Sequence, residues 1–204
     1  MRIFIYANES QRDEISLKPA VPGIYFHFSK NLPNADEIDN HEVFFLLDGE
    51  NEQMNFNQFH FKPVVINSVS KKLSANRLPK NIARINGWPG FLERSVWEIA
   101  CEEKDIFVPV FQKLNWEILA VKDEPGMVSG RVVSMIINEA FYALKENIST
   151  KKEINLAMKL GTNYPLGPFE WAEKIGVEKV FDLLTVLSEK DNRCVPSFQR
   201  NAKI

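Results

Sequence analysis

Lys122-Asp-Glu-Pro-Gly-Met-Val-Ser-Gly-Arg131 divides the chain into two halves of different character. It lies where a short apolar run, Trp116-Glu-Ile-Leu-Ala-Val121, gives way to a helical periodicity, and Pro125-Gly126 between them forces a turn. About forty positions on, Gly161-Thr-Asn-Tyr-Pro-Leu-Gly-Pro-Phe-Glu-Trp-Ala172 reads as a helix stop followed at once by a new start. Pro168 stands there at the first helical position, where a missing N–H removes no intrahelical bond. Downstream of Ser129, Val132, Val133, Ile136, Ile137, Ala140, Phe141 and Leu144 recur at three- and four-residue spacing, which predicts a long amphipathic helix from Ser129 to Glu146. Thr150-Lys-Lys-Glu153 is a capping box that opens a second helix, predicted to run through Ile154, Ala157 and Met158 and to stop at Gly161. Gly176 closes the short helix begun at Pro168. Val180, Phe181, Leu184 and Leu187 then share one face of a last helix over Val177 to Glu189.

Upstream of the divide the pattern is different. Ile3-Phe-Ile-Tyr6, Gly23-Ile-Tyr-Phe-His-Phe28, Val43-Phe-Phe-Leu-Leu47 and Pro63-Val-Val-Ile66 are near-continuous apolar runs bounded by Gly, Pro, Asn or Asp. Such runs suit strands of a parallel sheet covered on both faces. Ile82-Ala-Arg-Ile85, Val96-Trp-Glu-Ile-Ala100 and the 116–121 run add three more, with a helix over residues 102–114 that Pro109 weakens. A parallel crossover requires about a dozen residues. Residues 7–22 and 29–42 barely reach that and contain Pro19, Pro22 and Pro33, so the connections read as short helices or irregular loops. The fold class is therefore α/β. Residues 1–124 form a shortened, mostly parallel sheet and residues 125–204 an all-α domain.

With 204 residues, 45% hydrophobic and 25% charged, the chain can build a sizeable core. A net charge of −2 supplies no basic field to draw nucleic acid or an anionic membrane surface. Cys101 and Cys194 lack metal-ligand spacing and read as reduced thiols, which points to the cytoplasm. Met1-Arg-Ile-Phe-Ile-Tyr6 is too short for a signal peptide, and no apolar run approaches the ~20 residues of a membrane helix. His27, His41 and His60 lie outside the loop Asn86-Gly-Trp-Pro-Gly-Phe-Leu-Glu-Arg94 and read as structural. That loop is the candidate site loop, because two glycines and a proline force turns in it, while its Trp88 and Phe91 read as core aromatics.

Five segments, in order and spacing, resemble the C-terminal domain of the 3-hydroxyacyl-CoA dehydrogenases. They are Val121-Lys-Asp-Glu-Pro-Gly-Met127, Ile137-Asn-Glu-Ala140, Ala157-Met-Lys-Leu-Gly161, Pro165-Leu-Gly-Pro-Phe-Glu170 and Ile175-Gly176. The likeness covers about residues 117–200 and can be traced to about residue 62, where Val65-Ile-Asn-Ser-Val-Ser70 resembles a strand end of that family. It implies a Rossmann-like domain that holds NAD, a helical domain that makes a homodimer, and an acyl-CoA ligand in the setting of fatty-acid metabolism. It also implies site residues. The family pairs a general-base histidine with a glutamate twelve positions later, and here Glu98 is matched by Asn86. An amide does not titrate, so Asn86 cannot take the hydroxyl proton as hydride leaves. The family's asparagine before the helix-opening arginine is replaced by Gly130, ahead of Arg131.

The cofactor match fails in the same way. Where the family has Gly-x-Gly-x-x-Gly, whose glycines admit a pyrophosphate to backbone amides, the first strand here runs into Ala7-Asn-Glu-Ser-Gln-Arg12. No glycine precedes Gly23, and the second strand ends in Ser29-Lys30 rather than an acidic residue. No cofactor is expected on this reading. Asn67 and Ser70, at a strand's C-terminal end, are the candidate substrate contacts. The chain reads as a catalytically degenerate relative that binds an acyl-CoA or a partner enzyme. The alternative is an active NAD-dependent enzyme with a rebuilt site.

Overall fold

The computed structural model describes residues 1–49, 54–74 and 78–204. Two compact units divide the chain, Met1–Met127 and Val128–Ile204.

The first unit is a seven-stranded sheet. Its strands are β1 (Arg2–Tyr6), β2 (Tyr25–Ser29), β3 (Val43–Leu46), β4 (Val64–Asn67), β5 (Ile82–Ile85), β6 (Val96–Cys101) and β7 (Glu117–Ala120), in the order β2-β1-β3-β4-β5-β6-β7. All pairs are parallel except β5 with β6, which the ten residues between them join as antiparallel neighbours. Three helices accompany the sheet: α1 (Glu9–Ser16), α2 (Ala35–Asn40) and α3 (Lys104–Leu114). The near-continuous apolar runs are explained by two cores. Ile3, Ile5, Val43, Phe45, Val65 and Ile85 pack on one face with Ile15 of α1 and with Phe107, Phe111 and Leu114 of α3. Phe4, Phe44, Leu46, Val64 and Ile66 pack on the other with Ile38 of α2 and with Phe56 and Phe59 of a 3₁₀ turn. Strand residues alternate in direction, so both faces must be apolar when both are covered. Pro109 does lie inside α3. Its lost hydrogen bond is outweighed by the burial of Phe107, Val110, Phe111 and Leu114, at about 1.5–3 kcal/mol for each large apolar side chain.

The second unit holds α4 (Ser129–Lys145), α5 (Lys151–Thr162), α6 (Pro168–Ile175) and α7 (Val177–Ser188). The Thr150 capping box is present, with Glu153 reaching back to the Thr150 N–H. Pro168 opens α6, and Gly176, at φ +102°, joins α6 to α7. One boundary differs from expectation. α5 continues through Gly161 to Thr162 and ends at Asn163, which takes the left-handed conformation at φ 55°. Asparagine tolerates that conformation, and Asn115 after α3 and Asn147 after α4 do the same. Gly161 has a helical backbone and is not the stop. α4 buries Val133, Ile137, Ala140 and Phe141, and α7 buries Val180, Leu183, Leu184 and Leu187, whereas α5 buries no residue.

Candidate functional site

In open α/β sheets ligands bind at the C-terminal ends of the parallel strands, where the strand order reverses direction. Here the reversal lies between β1 and β3. The crevice at that point is bridged by side chains. α1 starts at Asn8, whose side chain accepts the Gln11 N–H at 3.0 Å while the Gln11 side-chain oxygen accepts the Asn8 N–H at 3.2 Å. The Gln11 amide then donates from Nε2 to the carbonyls of Leu47, at 2.8 Å, and Gly87, at 3.1 Å. Asn67 makes a matching bridge from the end of β4. Its Nδ2 donates to the same Leu47 carbonyl at 3.2 Å, and its Oδ1 accepts the Gly87 N–H at 2.9 Å. Gly87 is required there, because a Cβ would stand 2.8 Å from the Asn67 Cγ.

The loop after β5 is fastened to α1 at two further points. Both carboxylate oxygens of the buried Glu14 accept backbone N–H groups, from Gly90 at 2.6 Å and from Leu92 at 3.0 Å. The Lys18 ammonium donates to the Arg94 carbonyl at 2.6 Å and lies 5.2 Å from the Trp97 ring and 5.3 Å from the Trp116 ring. Its burial lowers its pKa from the ordinary lysine value. Trp88 and Phe91 are buried and meet edge to face with centroids 6.3 Å apart, so they pack as core aromatics. Gln11 and Glu14 thus form a polar stripe along one side of α1 that Lys18 continues past its end, and apart from Asn8 and Leu47 the hydrogen-bond partners of these side chains lie 76 or more residues away.

Asn86 is buried, and its Oδ1 accepts the Trp88 N–H at 3.1 Å. Glu98 is half-buried on β6. The antiparallel register pairs Ile85 with Ile99, and continued by one residue it sets Asn86 opposite Glu98. On that register the two candidate residues would face one another. Asn67 is committed to the backbone bonds just described, and Ser70 is half-buried in the turn after β4.

That turn is held by an arginine that sequence reasoning did not single out. Arg84, in the middle of β5, is fully buried. Its Nε donates to the Asp123 carboxylate at 2.6 Å, and its terminal nitrogens donate to the carbonyls of Ser68, at 2.9 Å, and Glu124, at 2.6 Å. Asp123 also accepts the N–H groups of Leu73 and Ser74, each at 3.2 Å. Burial alone would raise the Asp123 pKa, but the Ser74 N–H and the Arg84 guanidinium outweigh it and hold the carboxyl below its usual range. The only sequence signal was a charge inside the four-residue apolar run Ile82-Ala-Arg-Ile85.

A cavity of about 360 Å³ remains on the other side of α1, lined by Asn8, Arg12, Phe28, Ser29 and Lys30 among others. Arg12 lies 5.2 Å from the Phe28 ring. Among the described residues no group of three His, Cys, Asp or Glu side chains is placed to hold a metal ion. Among them, too, no helix is long and apolar enough to cross a membrane.

Residues 126–200 match the family model described as the 3-hydroxyacyl-CoA dehydrogenase C-terminal domain. Over 73 residues the chain is 43% identical to 3-hydroxyadipyl-CoA dehydrogenase of Escherichia coli K12, which covers 36% of this chain and 15% of that protein. Over 76 residues it is 38% identical to a probable 3-hydroxybutyryl-CoA dehydrogenase of Bacillus subtilis, covering 37% of this chain and 26% of that one. The chain spans well under half the length of these relatives in the matched region. The fold extends further than the sequence match. The crystal structure of (S)-3-hydroxybutyryl-CoA dehydrogenase from Ralstonia eutropha superposes with a TM-score of 0.67 at 21% identity, over 85% of this chain and 67% of that one. M. tuberculosis FadB2 superposes with a TM-score of 0.73 at 11% identity, over 96% and 90%. At those identities the likeness concerns the fold, a Rossmann-like sheet followed by a helical domain. Residues 126–200 thus carry the likeness to the 3-hydroxyacyl-CoA dehydrogenase C-terminal domain, in sequence as well as in fold.

Proposed function

We propose that this family member is catalytically degenerate and acts by binding an acyl-CoA or a partner enzyme of fatty-acid metabolism, without a bound NAD. The observation that carries this reading is the bridged crevice at the sheet's reversal point. Gln11 and Asn67 tie Leu47 to Gly87 across the place where a dinucleotide would approach the strand ends. α1 begins with a side-chain cap from Asn8, so a phosphate is offered no glycine turn. Asn86 supplies no titrating base beside Glu98. A second reading, an active enzyme with a rebuilt site, draws support from the β5–β6 register, which carried one residue past Ile85 and Ile99 would set Glu98 opposite Asn86.

The test compares wild type, Asn86→His and Asn86→His with Gly130→Asn by acetoacetyl-CoA-dependent NADH oxidation. A missing base alone forfeits ~10²–10⁴-fold, and groups that act as a unit lose their value together. The expected result is no turnover above background in any of the three. Ordinary enzyme rates in the wild type would overturn the degenerate reading. Activity gained by Asn86→His alone would reveal a working cofactor site.

The reading includes a homodimer through the helical unit. In the helical unit the apolar surface left open is greatest around α5, where Leu156 is 51% and Leu160 78% exposed, with Ile148 nearby in sequence at 70%. An isologous contact would cover that stripe in both copies. Light scattering at micromolar concentration is expected to give twice the chain mass, and Leu156→Glu with Leu160→Glu to give the chain mass. A monomeric wild type removes the idea.

A further inference from the structure

At the edge of the sheet unit, away from the bridged crevice, two histidines share a hydrogen bond. His27, on β2, places Nδ1 3.2 Å from the Nε2 of His41, which follows α2. The other nitrogen of His41, Nδ1, lies 2.7 Å from the Glu37 carbonyl of α2. A carbonyl only accepts, so His41 Nδ1 carries hydrogen, and in the neutral ring Nε2 is then an acceptor. The hydrogen between the rings therefore belongs to His27 Nδ1. The remaining nitrogen, His27 Nε2, faces the Glu37 carboxylate at 4.0 Å.

The surroundings decide how many protons the pair can hold. From β1 and β3 the rings of Phe4 and Phe44 face it. Phe4 meets both imidazoles edge-on, at 5.1 and 5.5 Å between centroids, and Phe44 meets His41 at 6.2 Å. The charged groups are Glu37 on α2, Lys62, whose ammonium donates to the Ile38 and Asp39 carbonyls, and Glu42, whose carboxylate accepts the Arg2 N–H. A first proton added at His27 Nε2 faces a carboxylate and leaves every hydrogen bond intact. A second has one place to go, His41 Nε2. There it would set two N–H groups against each other at 3.2 Å, on two cationic rings 5.1 Å apart, with His41 91% covered.

We propose that His27 and His41 form a one-proton latch that fastens the edge strand β2 to the end of α2, and that a second proton opens it. Histidine is the side chain whose charge ordinarily changes between pH 5 and 8, so mild acid is the trigger. The latch needs nothing from the degenerate reading of the site.

Thermal melting of the full chain from about pH 8 to about pH 5 tests it, with His27→Gln as comparator, because glutamine keeps a donor facing His41 but takes no proton. Wild type is expected to lose about 3–6 °C more than the variant over that range. Parallel curves would overturn the latch. Should the variant fail to fold, the imidazole ¹⁵N spectrum of the wild type gives the answer, and His60 is the only other histidine to assign. One ring of the pair should charge while His41 keeps its Nδ1 hydrogen, and charging of the second should coincide with loss of the Phe4 contacts. Both rings fully charged with those contacts unchanged would equally overturn the proposal.

Discussion

The helix starts of the helical unit and the C-terminal edge of the sheet are held by contacts of different range. In the helical unit, the bonds that start helices span three residues: Glu153 back to Thr150 and Glu170 back to Gly167. In the sheet unit, the C-terminal edge is fixed by bonds that span 76 and 78 residues, from α1 to the loop after β5, and by the Arg84–Asp123 pair across 39. Local bonds leave a local mark in sequence and long-range ones do not. This is why the helix starts can be read from the sequence, while the bridges that Gln11 and Asn67 make across the strand ends cannot.

The largest effect expected from breaking the comparison is at Asp123. Asp123→Ala strands the fully buried Arg84 charge and frees the backbone of residues 73–74, and should cost about 3–5 kcal/mol in denaturant unfolding. A cost below about 1 kcal/mol would mean that the pair does not hold the sheet unit together. The same residue has a pH signature. Its folded pKa is depressed, so its contribution is complete above the ordinary carboxylate range and is lost as pH falls through the lower folded value. Asp123→Asn should flatten the acid limb of the stability curve.

Glu14→Ala comes next. It removes the acceptor for the Gly90 and Leu92 N–H groups and should cost about 2–4 kcal/mol, with amide exchange in residues 86–94 accelerated. Unchanged exchange there would show that α1 does not position the loop. Thr150→Ala should have the smallest effect, about 1 kcal/mol, confined to the first turn of α5. If it cost as much as Glu14→Ala, the contrast between local and long-range fastening would fail.

All seven strands and all four helices of the second unit were legible, because apolar runs, capping boxes and Pro168 are local signals. Gly161 misled because an exposed helix tolerates glycine for about 1 kcal/mol, and Asn163 two residues later could take the left-handed turn. The site was legible only in part. Asn86 and Glu98 could be matched by their spacing, and the β5–β6 register ends one residue short of that pair. The role of α1 was hidden because Glu9-Ser-Gln-Arg-Asp-Glu-Ile-Ser16 is polar nearly throughout and reads as a solvated helix. Nothing in that octapeptide says that Gln11 and Glu14 turn inward, since their partners arrive from another part of the chain.

The central claim is that the bridged crevice holds no dinucleotide, and the most direct measurement is a fluorescence titration of the wild-type chain with NADH. No saturation is expected up to about 1 mM, which corresponds to a binding free energy weaker than about −4 kcal/mol. Saturation at micromolar NADH would contradict the account, because it would require Gln11 and Asn67 to leave the positions in which they close the strand ends.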